Sequence, residues 1–439
     1  MADVLRIPVC PAPIQGAIRP PGSKSITNRA LVCAALARGT SRLRGVLDSQ
    51  DTRVMATCLG RLGIRLEADW DTGTVEVAGS AGVIPAAEAT LDCAASGTTM
   101  RFLAAVCGLG HGTYRLDGTT RMRQRPIGDL LAALRELGVE AEAESAGECP
   151  PVKIRSHGLA GGAATVRGGT SSQFASGLAM AAACAGGTMR LEFAGELVSR
   201  PYLEMTRRVM AAFGGRCDAD GDHAWVIPAT GYEPRDYEIE PDASAASYFF
   251  AAAAITGGAV RVEGLSRRSI QGDVAFCDAL ERMGCRVHWD EGNASGAGNS
   301  ITVEGRAANG IDVDMNAVSD TVPTLAVVAL FADSPTRIRN VAHIRDKETD
   351  RIGDLVRELR ALGADATEHA DGLSVAPAAL RGASLRTYDD HRMAMSLALA
   401  GLRVPGVVIQ DPACVGKTFP EYWRRLGAIA RFGDDWPPD

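Results

Sequence analysis

At 439 residues, with 46% hydrophobic and 23% charged side chains, the chain is too long for one ordinary core and has the composition of a folded protein of about two domains, without the marks of disorder. Its net charge of −7, from 46 Lys and Arg against 53 Asp and Glu, argues against a general nucleic-acid or anionic-membrane surface, so any bound anion must be met by a local basic cluster. No apolar run approaches the roughly 18 residues of a membrane span, the N-terminal segment lacks a secretory apolar stretch, and eleven cysteines are scattered without a CxxC pair; a soluble cytoplasmic protein with free thiols, buried at Cys33, Cys107 and Cys184, and no zinc site is the expectation.

The first stretch with chemical content is RPPGSKSITNRALVCAALARG, residues 19 to 39. A Pro-Gly turn delivers Ser23, Lys24, Ser25, Thr27 and Arg29 to the start of an apolar helix. Unpaired backbone N–H groups and the helix dipole make such a start an anion seat. The plain alternative is that Ser25 or Thr27 caps the helix while the cations are solvated. A nucleotide loop is disfavoured, because the glycine that precedes Gly-Lys-Ser/Thr in a phosphate loop is absent.

The same design then recurs along the chain. An "apolar, two variable, apolar, Gly" pattern is expected to close a helix six times, at Gly63, Gly138, Gly214, Gly284, Gly363 and Gly427, and five copies run on into strand-like segments such as IRLEAD and CRVHWD. Interleaved with these are six Ala-rich helices, preceded by SKSITNR, SGTTMR, SSQFASG, DASAASY, SDTVPT and DDHRMAMS. Six units of roughly 70 residues, three per domain, follow. All six buried helices are expected to start with Ser, Thr or Asp caps. Capping explains the hydroxyls but not Arg29, Arg101 and Arg392, which are expected in first turns, where the dipole disfavours positive charge. Helices converging with their N-termini inward would hold several anionic groups at once. The other helix series adds Arg125 in RMRQRPIGDLL, Ser199 and Tyr202 in SRPYLEMTRR, and Lys347, Glu348 and Arg351 in RDKETDRIGDL. Alone, the last run reads as a solvated face of weak ion pairs.

Ten motifs, PGSKSITNRAL, SGTTMRFL, RPIGDLL, SSQFASGL, SRPYLEMT, DASAASYF, SDTVPTLAV, KETDRI, YDDHRMAM and GKTFPEYW, stand in an order and spacing by which the chain strongly resembles the 5-enolpyruvylshikimate-3-phosphate synthase family, essentially end to end. The resemblance implies a two-domain inverse α/β barrel of six similar βαβαββ-type units. One domain would comprise residues 1–22 and 241–439, the other 23–240, with hinges at RPPG and IEPD and the active site in the cleft between them. It implies transfer of the enolpyruvyl group of phosphoenolpyruvate to the 5-hydroxyl of shikimate 3-phosphate, with release of phosphate and no metal or organic cofactor. The partners are then two small molecules, with no nucleic acid or membrane, and the protein is a monomer. Ser25, Arg29, Ser171, Ser172, Gln173, Ser199, Tyr202, Asp320 and Lys347 correspond to shikimate 3-phosphate contacts. Lys24, Gly97, Arg125, Gln173, Arg351, Arg392 and Lys417 correspond to phosphoenolpyruvate contacts. Cations suit substrates that each carry a phosphate and a carboxylate.

Within that reading Asp320 is the base for the hydroxyl, Glu348 the acid for the methylene carbon, and Lys24 a stabiliser of charge. Glyphosate would occupy the phosphoenolpyruvate seat, with Gly97 leaving room for it. The chain departs from the family at Ala95 and His343, where Asn is usual, at Asp346, where an apolar residue is common, and at Phe102, whose bulk could shift Gly97. Two rivals remain. A UDP-N-acetylglucosamine enolpyruvyl transferase should carry a loop cysteine near RPIG, and GTTRMRQRPIG has none; a non-catalytic anion-binding descendant gains nothing from keeping Asp320 and Glu348.

Overall fold

The computed structural model describes residues 3–437 apart from 168, 170, 196, 294–297 and 434. Among these are twelve α-helices that alternate, in chain order, between fully buried and half-buried: α1 (Lys24–Leu36), α2 (Gln50–Arg61), α3 (Gly97–Cys107), α4 (Gly128–Glu136), α5 (Ser172–Ala182), α6 (Arg200–Ala212), α7 (Ala243–Thr256), α8 (Phe276–Arg282), α9 (Val322–Ala329), α10 (Gly353–Ala361), α11 (His391–Gly401) and α12 (Tyr422–Ala430). The odd-numbered helices are apolar on nearly all faces and are buried almost throughout, as such sequences must be. The even-numbered ones bury one stripe.

The strands form five four-stranded sheets and one of three strands. Each contains one parallel pair. In four of the sheets a buried helix joins the two strands of that pair, as α3 joins Glu88–Asp92 to His111–Asp117. The remaining two exchange partners: Gln15–Ile18, which precedes α1, pairs with Ala259–Glu263, and Asp236–Glu238, which precedes α7, pairs with Thr40–Arg44. That exchange, with Val4–Arg6 antiparallel to Val408–Gln410, ties the N-terminal strands to the C-terminal half. The chain accordingly divides into two compact units, Gly22–Ile239 around α1, α3 and α5, and Met1–Pro21 with Glu240–Asp439 around α7, α9 and α11.

Local expectations hold with instructive exceptions. Five of the six glycines end their helices at φ between +81° and +106°, a region L side chains avoid. Gly427 does not: α12 continues to Ala430 and turns at Arg431 (φ +55°), while Gly427 receives the Trp436 indole, which a Cβ would meet at 2.5 Å. Five buried helices carry a side-chain cap, from Ser23, Ser96, Ser171, Asp242 and Asp390, so at α1 the cap is Ser23 and not Ser25 or Thr27. α9 has none; the Thr321 hydroxyl donates back to the Val318 carbonyl, and Asp320 is left for other partners. Of the three arginines, only Arg392 stands in a first turn. Arg29 and Arg101 fall in the second turn, one step beyond the strongest part of the dipole. Cys33 and Cys107 are buried, whereas Cys184 is half-buried, with Sγ 3.9 Å from the Leu36 carbonyl.

Two alanine substitutions should have opposite signs. Gly427→Ala forces the Trp436 ring aside and should cost about 1–3 kcal/mol. Gly60→Ala, in the exposed last turn of α2 with nothing within 4 Å of the new methyl, should stabilise by up to about 0.5 kcal/mol. Denaturant unfolding of the two variants checks both.

Candidate functional site

The residues singled out by sequence gather into two clusters, one in each unit. In the Gly22–Ile239 unit they lie at the N-terminal ends of buried helices and the turns beside them. Ser23 caps α1, leaving Lys24 and Ser25 as its first two residues; Lys24 Nζ stands 3.5 Å from the buried Asp51 carboxylate. Gly97 opens α3, and Ser171 caps α5, just before Ser172 and Gln173. Ser199 precedes α6 in left-handed backbone (φ +54°), and Tyr202 lies in that helix's first turn.

Two buried arginines organise this cluster. Arg29 donates from Nε to Thr206 Oγ1 (2.7 Å), from Nη1 to the Ser25 carbonyl (2.9 Å), and from Nη2 to the Tyr202 carbonyl (3.3 Å) and Ser176 Oγ (3.4 Å). Burial lowers its pKa to about 10, so it remains charged at neutral pH. Its guanidinium lies over the Phe102 ring, 5.1 Å from the centroid, and Arg101 lies over Phe174 at 5.4 Å. Each arginine thus rests on the aromatic ring of the next buried helix. Phe102, unexpected from the family pattern, serves as the platform for Arg29. Arg101 also donates to Gln173 Oε1 (2.7 Å), while Gln173 Nε2 donates to Thr98 Oγ1 (3.3 Å), fixing the amide orientation. Arg125 is buried beside Gly97, where a Cβ would meet its Nη1 and Nη2 at 2.8 and 2.9 Å. Ala95 is half-buried and follows Ala94, which is itself held at φ +46°.

In the other unit, Asp320, Glu348, Arg351, Arg392 and Lys417 form one connected network. Arg351, 1% exposed, is its hub. It donates to Asp390 from Nε (2.7 Å) and Nη2 (3.2 Å), to Glu348 Oε2 (2.7 Å) and to Asp320 Oδ1 (3.4 Å). Arg392 Nη2 donates to Asp320 Oδ2 (2.6 Å), and Lys417 Nζ to Glu348 Oε1 (2.8 Å). Burial alone would lower the Arg351 pKa, but Asp390, then Glu348 and Asp320, raise it well above its ordinary value. Three carboxylates and three cations alternate here.

Asp390 was legible in YDDHRMAM only as a helix cap. It does accept from the Arg392 backbone N–H (2.8 Å), but it is also the fully buried partner of Arg351. Lys347 follows the short helix Ala342–Asp346. Asp346 is exposed, which explains why an acid is tolerated there. His343 Nε2 lies 3.0 Å from Ser319 Oγ, and burial, then Lys347, push its pKa down to about 4 against a smaller opposing effect of Asp320. It is a neutral imidazole at pH 7, able like Asn to donate or accept.

Comparison with known proteins places the chain in a family. The family model for EPSP synthase (3-phosphoshikimate 1-carboxyvinyltransferase) matches residues 9–426. Relatives named 3-phosphoshikimate 1-carboxyvinyltransferase include one from Nostoc punctiforme, 46% identical over 97% of this chain and 98% of its own, and one from Thiobacillus denitrificans, 46% identical over 95% and 97%. Among solved structures, an EPSP synthase from Acinetobacter baumannii aligns at TM-score 0.80 with 24% identity, over 97% of this chain and 98% of its own. The enolpyruvyl transferase NikO from Streptomyces tendae aligns at 0.74 with 22% identity, over 97% of each chain. Both structures share the fold.

The half-buried, neutral His343 makes stability depend on pH. Its folded pKa of about 4 lies below the ordinary 6.5, so the unfolded chain binds the extra proton first as pH falls. The stability held above pH 6.5 should decline between 6.5 and 4, by on the order of 2 kcal/mol. Denaturant unfolding of wild type and His343→Gln at pH 7 and pH 4.5 checks this; the variant should lose less.

Proposed function

We propose, for a chain that belongs to the EPSP synthase family and transfers the enolpyruvyl group of phosphoenolpyruvate to shikimate 3-phosphate, that residues of both clusters serve this reaction. In the reaction the 5-hydroxyl adds to C2 of phosphoenolpyruvate as the methylene carbon gains a proton to become a methyl; the tetrahedral intermediate then loses phosphate from C2 and one methyl proton, returned to the carboxylate that supplied it, which restores the methylene. Asp320 takes the proton from the hydroxyl and Glu348 supplies one to the methylene carbon. One observation carries this assignment: both carboxylates are held on a single buried guanidinium, Arg351, at 3.4 and 2.7 Å, among the cations that suit the anionic groups of the substrate.

The same geometry sets a requirement. Glu348 lies between Arg351 and Lys417, and Asp320 between Arg351 and Arg392; these cations stabilise the charged carboxylates. Substrate phosphate and carboxylate draw the cations away, weakening their hold on Glu348 so that it can take up and pass on a proton. Lys24, Arg125, Gln173 and the hydroxyls of Ser25, Ser171, Ser172, Ser199 and Tyr202 bind from the other cluster, joined by Lys347 from the first. Arg29, with its donors engaged internally, acts by positioning Ser25 and Tyr202. Fixed donors around the developing oxyanions supply much of the rate. The reading extends to a cytoplasmic monomer that needs no cofactor and is inhibited by glyphosate at the phosphoenolpyruvate seat.

Inorganic phosphate should be released only when both substrates are present. Asp320→Ala should keep shikimate 3-phosphate binding within about tenfold and lose at least about 100-fold in turnover, the scale of an acid–base group; Arg125→Ala should act mainly on the KM for phosphoenolpyruvate. Because an alanine methyl at position 97 meets the Arg125 guanidinium first, Gly97→Ala should raise that KM as well as weakening glyphosate competition. If the two clusters grip one pair of substrates, small-angle scattering should show compaction with shikimate 3-phosphate plus an unreactive phosphoenolpyruvate analogue.

A further inference from the structure

Tyr248 belongs to α7 and stands six residues after its cap Asp242, as Arg29 stands six after Ser23. It is 1% exposed, and its hydroxyl has no hydrogen-bond partner. Its ring packs edge-on against Tyr422, 5.5 Å between centroids, in a cluster that includes Phe249 and Phe419. Packing alone does not account for a tyrosine, since phenylalanine fills such a place without leaving a polar atom unsatisfied. A buried hydroxyl without a partner costs about 1–3 kcal/mol, so it is retained where another state of the protein uses it.

What lies beside that hydroxyl indicates its use. Arg392 and Arg351 both act on it electrostatically, and Arg392 is close enough to interact with it directly, though without completing a well-aligned hydrogen bond. Burial pushes the phenol up to about 12, so at neutral pH it is uncharged, with lone pairs to accept and a proton to give. Meanwhile Arg392 Nη2 is directed at Asp320 (2.6 Å).

We infer that Tyr248 is a positioning residue for the phosphoenolpyruvate carboxylate, acting through Arg392: its hydroxyl accepts an Arg392 N–H when the guanidinium turns from Asp320 to the substrate. The inference rests on the reaction and the residue roles given above. It adds a fixed stop for the arginine's rotation and explains how Asp320 is released to act as a base. At saturating phosphoenolpyruvate the substrate carboxylate itself holds Arg392, so the hydroxyl contributes to affinity more than to turnover.

The test is Tyr248→Phe in the full-length enzyme, read by steady-state phosphate release. The expected result is a KM for phosphoenolpyruvate raised about tenfold, the scale of one hydrogen bond to a charged group, with kcat within about threefold, the KM for shikimate 3-phosphate unchanged and no lower melting temperature. In an Arg392→Lys background the same substitution should change that KM by less than about twofold, because the residue it acts through is gone. An unchanged KM for phosphoenolpyruvate in an active, folded variant overturns the inference, as does an equal rise in both KM values, or a full effect in the Arg392→Lys background. A wild-type chain that releases no phosphate from the two substrates overturns the proposed function together with this inference, and so is distinguishable from a failure of Tyr248 alone.

Discussion

Positive charge buried near the N-terminal ends of apolar helices is the constraint on which the rest of the structure depends. A guanidinium out of water is costly unless its donors are satisfied, and a helix N-terminus adds further positive potential. The two units meet this problem differently. Around α1, α3 and α5, Arg29 is satisfied by hydroxyls, backbone carbonyls and the Phe102 ring, and Arg101 by the Gln173 amide and the Phe174 ring. Around α9 and α11, Arg351 and Arg392 are satisfied by the carboxylates of Asp390, Glu348 and Asp320.

That difference matches the chemistry. Neutral acceptors leave the net positive charge of a guanidinium in place, which fits the anion-binding role proposed for that cluster. Carboxylates neutralise it, but they are also the groups that can exchange protons with a substrate. The unit that carries Asp320 and Glu348 holds the proposed base and acid in an ion-pair network that an anionic ligand can rearrange. Removing one member of such a buried pair costs far more than the intact pair contributes, so the network also restricts what can be substituted at Arg351 and Asp390.

Of nine described non-glycine residues in left-handed backbone, five stand beside residues of the two clusters, and four, Ala81, Glu148, Asn340 and Arg431, stand elsewhere. The five are Ala94, just before Ser96 and Gly97; Ser199 itself; Tyr388 and Asp389, just before Asp390 and Arg392; and Asp411, which leads into the short helix ending at Lys417. Each costs on the order of 1–3 kcal/mol and is maintained by the surrounding packing. The turns are bent so that helix starts present their first residues where the clusters need them, and the apolar helices behind provide the rigidity that keeps them there.

The sixfold alternation of helices, the helix-ending glycines, the family and its reaction were legible in the sequence, because caps, apolar periodicity and motif residues are local patterns that a linear reading can detect. Gly427 was misread because its pattern is the same as that of the other five glycines; what differs is the Trp436 ring arriving from nine residues further on. The role of Asp390 beyond capping, the stacking of Arg29 on Phe102 and of Arg101 on Phe174, and the placing of the Tyr248 hydroxyl beside Arg392 depend on side chains 39 to 144 residues apart in sequence. By itself the sequence determined which residues are charged, which segments are buried and in what order they come. Only the tertiary structure decided which acceptor each buried cation takes, because that choice is made by distance and desolvation among helices that the chain brings together after it folds.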